Sequence, residues 1–150
     1  MDQKKLYKTV ESIASKKFPH EKDILIYVLT QIVDNEEIDV NGGRIWQLNS
    51  DKRSYKILYQ TGKLERINPD FSIGLEMYPI FDIIAQKRTI LGNETNQELR
   101  EKGIFKYSAS GVGDKIKLNG KLYYEYILAL SSPNINEELR LNLSIIATAL

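Results

Sequence analysis

The residues best suited to chemistry lie in one polar stretch, Gly92 to Lys102. It holds Asn93, Glu94, Thr95, Asn96, Gln97, Glu98 and Arg100, side chains that hydrogen-bond a polar ligand rather than attack one. Connections in compact domains usually run about four to six residues, and longer ones are more often functional. Apolar and aromatic groups suited to a pocket wall flank the stretch: Trp46, Met77, Tyr78, Phe81, Phe105 and Tyr107. A mostly apolar concavity with a few convergent polar groups is how small-molecule sites are built. The expected site is therefore a binding one. Trp46, Met77, Phe81 and Tyr107 would supply walls or stacking, and Asn93, Thr95 and Glu98 the hydrogen bonds. The alternative, in which the aromatics are core and the stretch a solvated surface, stays open.

Catalytic and metal chemistry find less support. The chain has no cysteine, which excludes disulfides, thiolate nucleophiles, Cys-ligated zinc, iron–sulfur clusters and thioether-linked pigments. Its one histidine, His20, follows Pro19 and reads as a loop or cap residue rather than a metal or haem ligand. Ser108-Ala109-Ser110-Gly111 lacks the nucleophile-elbow spacing, and a serine triad would have no base nearby. Gly111-Val112-Gly113-Asp114 begins like a dinucleotide fingerprint but lacks the third glycine and a following helix, so it reads as a turn. Asp34, Glu36, Glu37 and Asp39 lack the spacing and the closing bidentate Glu of a calcium loop, and read as a solvated loop. No catalytic residue, no metal and no cofactor are expected, and the domain is not expected to be an enzyme.

The charge balance points the same way. With 21 basic and 20 acidic side chains the net charge is +1, and the N-terminal lysines are diluted by Asp2, Glu11 and Glu21. A nucleic-acid partner is not expected. No signal peptide opens the chain and no apolar run approaches the ~20 residues of a membrane span, so the expected location is cytoplasmic, away from the membrane.

The elements that must position the polar stretch follow from periodicity. Residues 2–16 suit a helix with Leu6, Val10, Ile13 and Ala14 on one side, and a more apolar helix runs from Glu21 to about Asp34. Strands are expected at 44–49 and 54–60, the second with Tyr55, Ile57 and Tyr59 alternating onto one face. Residues 63–77 look irregular. A short helix, Tyr78 to Lys87, and a strand, Arg88 to Leu91, lead into the polar stretch. Strands at 104–110 and 115–118 follow, and Asn119-Gly120 marks a two-residue hairpin into a long strand ending at Ser131. Asn136 can cap a last helix, 136–150. That helix has one stripe of Leu139, Leu143, Ile146 and Leu150 and a second of Leu141, Ile145 and Ala149. Two apolar faces need two partners: its own domain, and a second copy or a following segment.

The expected architecture is one α+β domain over 1–150: N-terminal helices 2–34, a sheet core at 43–131 and an exit helix at 136–150. The sheet is six-stranded and mostly antiparallel, with the terminal helices on one side and the short helix and loop on the other. An uncapped exit helix suits the N-terminal part of a longer signalling protein.

This order of elements resembles a GAF domain, a regulatory sensor module of signalling proteins. The strand pair at Arg44–Ser50 and Ser54–Gly62, Ile73-Gly74-Leu75, the helix Tyr78–Lys87 and Lys87-Arg88-Thr89-Ile90-Leu91 fit the family's first half. Asn119-Gly120-Lys121 through Ala129-Leu130, then Ile135-Asn136-Glu137-Glu138-Leu139, fit its closing strand and capped final helix, so the likeness spans about residues 20–150. PAS domains share the role but place their helices mid-chain. The resemblance implies small-molecule sensing and a homodimer through the terminal helices. Members bind cyclic nucleotides, bilins, haem or metabolites, and some bind nothing. Covalent bilin is ruled out here, haem would have only His20, and the family's methionine sulfoxide reductases need cysteines that this chain lacks. Of the Asn-Lys-Phe-Asp-Glu constellation of cyclic-nucleotide members, Asn134, Asn136 and Glu137 or Glu138 remain, without the Lys or Phe. Cyclic nucleotide is still the first choice of ligand, with a ligand-free dimerisation module as the alternative.

Overall fold

The computed structural model describes residues 3–15, 20–50, 53–76, 80–92 and 108–150. Two helices open it, α1 (Gln3–Ala14) and α2 (Glu21–Asp34), at the expected positions. Leu6 and Val10 of α1 and Leu25, Val28, Leu29 and Ile32 of α2 turn inward, as the helical period requires. His20 sits at the N-cap position of α2 without a side-chain cap bond. Strands β1 (Gly42–Asn49) and β2 (Ser54–Gly62) follow, then β3 (Ser72–Gly74), α3 (Ile80–Lys87), β4 (Thr89–Ile90), β5 (Ser108–Leu118), β6 (Lys121–Ser131) and α4 (Glu137–Ala149).

The six strands form one antiparallel sheet in the order β3-β2-β1-β6-β5-β4. Alternation along β1 divides the core in two. Ile45 faces α1, α2 and α4, together with Val112, Leu128, Leu130, Leu143 and Ile146. Trp46 and Leu48 face α3, with Tyr55, Ile57, Ile73, Phe81, Ile84 and Ile127. The period of two that separates neighbours on a strand is thus what separates the two clusters.

The strand count matches expectation, but two of its members differ. Three residues in the irregular stretch, Ser72–Gly74, pair with Ser54–Lys56 as an edge strand. In compensation, the expected turn at Gly111–Asp114 is continuous strand: β5 runs through it, with Gly113 at φ 81° and a register shift between Val112 and Lys115. That is a bulge, which lengthens one strand against its partner without ending the pairing. A second shift, between Ile45 and Trp46 on β1, alters β2: Ile45 pairs with Tyr59 and Trp46 with Ile57. Tyr55 and Ile57 therefore face α3, while Tyr59 turns to the helix side, its hydroxyl 3.5 Å from that of Thr30.

Local signals elsewhere hold. Asn119 and Gly120 take φ 53° and 79°, the left-handed pair the hairpin needs, and the Asn136 side chain accepts from the Leu139 amide at 3.1 Å. The second stripe of α4 is covered largely by the chain itself. Ile145 and Ala149 are half-buried against the helix-side core, α1 packs chiefly on α4, and Leu141 alone of this stripe stays exposed, at 47%. Among the described residues no helix is long and apolar enough to cross a membrane.

One glycine is set by packing rather than by φ. A Cβ at Gly111 would lie 2.2 Å from the Tyr124 ring. Gly111→Ala is expected to destabilise the fold by about 1–3 kcal/mol, read from urea-unfolding midpoints, because the ring has to shift to make room.

Candidate functional site

The polar stretch lies in the chain between β4 and β5, and the bonds joining these two strands are well defined. Thr89 and Ile90 pair with Ser110 and Ala109. The Thr89 and Ser110 hydroxyls lie 2.8 Å apart, and the Gly92 amide donates to Ser108 Oγ at 3.1 Å. Three buried hydroxyls in a sheet would be costly if unpaired, and here each has a partner. The segment between is therefore anchored at both ends on neighbouring strands. Of the expected site residues, Met77, Asn93, Thr95, Glu98 and Tyr107 lie outside the described residues.

Two arginines bind the other side of β4 to the last helix. Arg88, at φ 69° between α3 and β4, donates from Nη2 to the Ala147 carbonyl at 2.6 Å and from Nε to the Gly111 carbonyl at 3.3 Å. Ala147 is in the last turn of α4, where carbonyls lack intrahelical partners and the dipole favours a cation. Arg140, two turns earlier on the same helix, donates from Nη1 to the Thr89 carbonyl at 3.2 Å and pairs with Glu137 at 3.3 Å. β4 thus has β5 on one edge and α4 on the other. Neither arginine was legible as functional in the sequence, since nothing local marks an Arg for positive φ or shows which helix lies across a strand.

The two expected wall residues that are described share one cluster. Trp46 is 1% and Phe81 2% exposed, so a ligand reaches either ring only by displacing what covers it. Phe81 stacks on Tyr55 with centroids 4.5 Å apart and planes 24° off parallel. The Tyr55 hydroxyl donates to the Tyr124 carbonyl, and burial, with Tyr123 adding, pushes its pKa above the usual phenol range. On the same side of β1 as Trp46, the sequence concealed a buried cation. Arg44 is 2% exposed; it donates to the Glu65 carbonyl and, at 3.4 Å, to Gln60 Oε1. Gln60 in turn bonds both main-chain groups of Ile67, at 2.8 and 3.1 Å, so this polar network pins the 63–71 segment to the sheet.

The helix side carries a cleft of about 270 Å³ between α1 and α2, with an apolar floor of Leu6, Val10, Val28, Ile32 and Ile38. It opens on the face away from Trp46 and Phe81. Among the described residues no three His, Asp or Glu side chains converge closely enough to hold a metal ion by themselves.

No protein-family model and no curated protein sequence matches the chain. Solved structures do. The GAF domain of a phosphoenolpyruvate-protein phosphotransferase (ptsP) from Coxiella burnetii superposes with a TM-score of 0.63 at 12% identity, over 100% of this chain and 89% of that one. The equivalent domain from Acinetobacter does so with 0.61 at 15%, over 99% and 89%. The chain has the GAF fold. A third GAF-like neighbour, reduced fRMsr of Staphylococcus aureus, has a TM-score of 0.62 at 15% identity, over 99% of this chain and 95% of that one. fRMsr is an enzyme, also solved in complex with substrate, so the GAF fold by itself does not separate sensing from catalysis.

Tyr55 makes the packing of this site measurable by pH. An unfolded tyrosine titrates near about 10, whereas folded Tyr55 holds its proton well above that. Above about pH 10 the folded state therefore binds more protons than the unfolded one, and stability falls as pH rises. Tyr55 is expected to contribute a slope approaching 1.4 kcal/mol per pH unit there. Tyr55→Phe should remove that slope and cost about 1 kcal/mol at neutral pH, as read by urea unfolding between pH 7 and 11.

Proposed function

We propose that this GAF-fold domain is a cytoplasmic regulatory sensor, not itself an enzyme. It binds a small molecule under the 92–102 stretch and passes the signal through α4 to an output domain. The observation that carries the reading is the double attachment of β4: it is the stem of the polar stretch and is bonded to α4 through Arg88 and Arg140. A ligand that moves the stretch pulls on a two-residue strand, and that strand has the exit helix as its other neighbour. Such a ligand acts only if it binds one arrangement of this connection better than the other.

A cyclic nucleotide is the first ligand to test. Its base would stack against Met77 or Tyr107, or against Trp46 or Phe81 once what covers those buried rings is displaced, and its polar edge would meet Asn93, Thr95 and Glu98. The exposed Leu141 favours a second reading, a ligand-free dimerisation module joined through the terminal helices.

A thermal-shift panel of cyclic mononucleotides, cyclic dinucleotides, purines and amino acids separates them. At about 100 times its dissociation constant a ligand adds roughly 2.7 kcal/mol, or on the order of 5–10 °C for a domain of this size. One cyclic nucleotide is expected to give that shift and to change amide exchange in α4. In Arg88→Ala the shift should persist while the change in α4 is lost. A flat panel, with a dimer that Leu141→Glu converts to monomer in sedimentation, would establish the dimerisation module instead.

A further inference from the structure

The helix-side cleft runs between α1 and the last turn of α2. Because α1 packs chiefly on α4 and less on α2, a slot of about 270 Å³ remains between the first two helices. That is close to the low end of ligand pockets, roughly 300–1,000 Å³. Leu6, Val10, Val28, Ile32 and Ile38 form a buried apolar floor, which suits a flat ring or a short hydrocarbon chain. The rim is polar: Thr9 on α1, and Gln31, Asp34 and Asn35 at the end of α2.

The electrostatics of that end are one-sided. The last carbonyls of a helix lack intrahelical partners and form the negative end of its dipole, where an anion is disfavoured. Yet α2 ends on Asp34 and has no basic residue in its last turn. Among the described residues Asp34 is the only ionisable side chain lining the slot, and no ion pair includes it. Lys5, one turn before Thr9, pairs instead with Glu37 at 3.8 Å. Asn35 Oδ1 accepts from the Glu37 amide at 2.9 Å, which leaves the exposed Asp34 carboxylate and the Gln31 amide oxygen as acceptors for a ligand.

We propose that this slot binds a small organic ammonium ion with an apolar body. Its hydrocarbon part lies over Val28, Ile32 and Ile38, and its charged head meets Asp34 and the end of α2. A neutral ligand would leave the anion at the helix C-terminus unrelieved, and an anionic one would add to it. An inorganic cation would leave the apolar floor unfilled. The bound ion would bridge α1 to α2, the weaker of the contacts α1 makes with the other helices. This inference does not rest on the proposed sensing site, which faces the other side of the sheet.

The test is titration of the full chain with phenethylamine, phenethyl alcohol and hydrocinnamate, three ligands of like shape and different charge, followed by amide chemical shifts. Phenethylamine is expected to saturate with a dissociation constant on the order of 1 mM, as suits so small a ligand, and to move resonances at 6–10 and 28–38. It should bind about five times tighter than the alcohol, the worth of one well-placed exposed ion pair, and hydrocinnamate should not bind. Asp34→Asn should remove most of that preference and leave the alcohol unchanged. Thr9→Phe, at an exposed position on the rim, should fill the slot and abolish binding of both while the fold persists. Equal affinity for amine and alcohol, or a preference that survives Asp34→Asn, would overturn the proposal. So would no saturable shift at 6–10 and 28–38 with phenethylamine, or binding undiminished in a folded Thr9→Phe.

Discussion

β1 and β6 lie side by side at the centre of the sheet, and because both faces of this pair are apolar, each must be covered. Ile45 with Leu128 and Leu130 demands one cover; Trp46 with Ile127 and Ala129 demands another. The remaining elements answer that demand. The amphipathic α1, α2 and α4 have enough apolar surface for the first face, and α3 with the 63–75 segment closes the second. At about 25 cal/mol per Å² of apolar surface, these two contacts dominate the stabilisation. The three longer helices fill one face, and the short α3 is left to the other.

Polar bonds then tie the edge of the sheet to the last helix. β4 is too short to be held by its ladder alone: it has two residues and one strand neighbour. The Thr89–Ser110 hydroxyl contact and the two arginine bonds to α4 complete it. Hydrogen bonds to charged donors contribute more than neutral ones, and they are directional, so they fix the position of β4 against α4 more closely than apolar packing would. The same helix is capped at its N-terminus by Asn136 and at its C-terminus by Arg88, which lies between α3 and β4.

The solved GAF-like neighbours include domains of phosphoenolpyruvate-protein phosphotransferases and an enzyme, at 12–15% identity. At that distance the shared constraint is the architecture, and chemistry resides in the side chains placed on it. Here cysteine is absent, and the distinctive polar groups are the buried Arg44, the half-buried Arg88 and Arg140, paired serines and an unpaired asparagine.

The sequence by itself determined the features whose physics is local. The stripes of α1, α2 and α4, the left-handed Asn119-Gly120 hairpin, the Asn136 cap, the alternation of β1 and the two-sided architecture all follow from neighbours within a few residues. Tertiary structure alone decided the rest. A bulge turned Tyr59 to the helix side, another carried β5 through Gly111–Asp114, and pairing with β2 made a strand of Ser72–Gly74. The acidic run at 34–39 lacks a calcium-loop pattern in sequence, yet Asp39 meets Asn134 across 95 positions and shares a recess with Asn142. Arg88 and Ala147 likewise meet across 59. Register, bulges and long-range polar contacts depend on what lies across from a residue. That partner is chosen by how the chain as a whole buries its two faces, so no local window of sequence contains it.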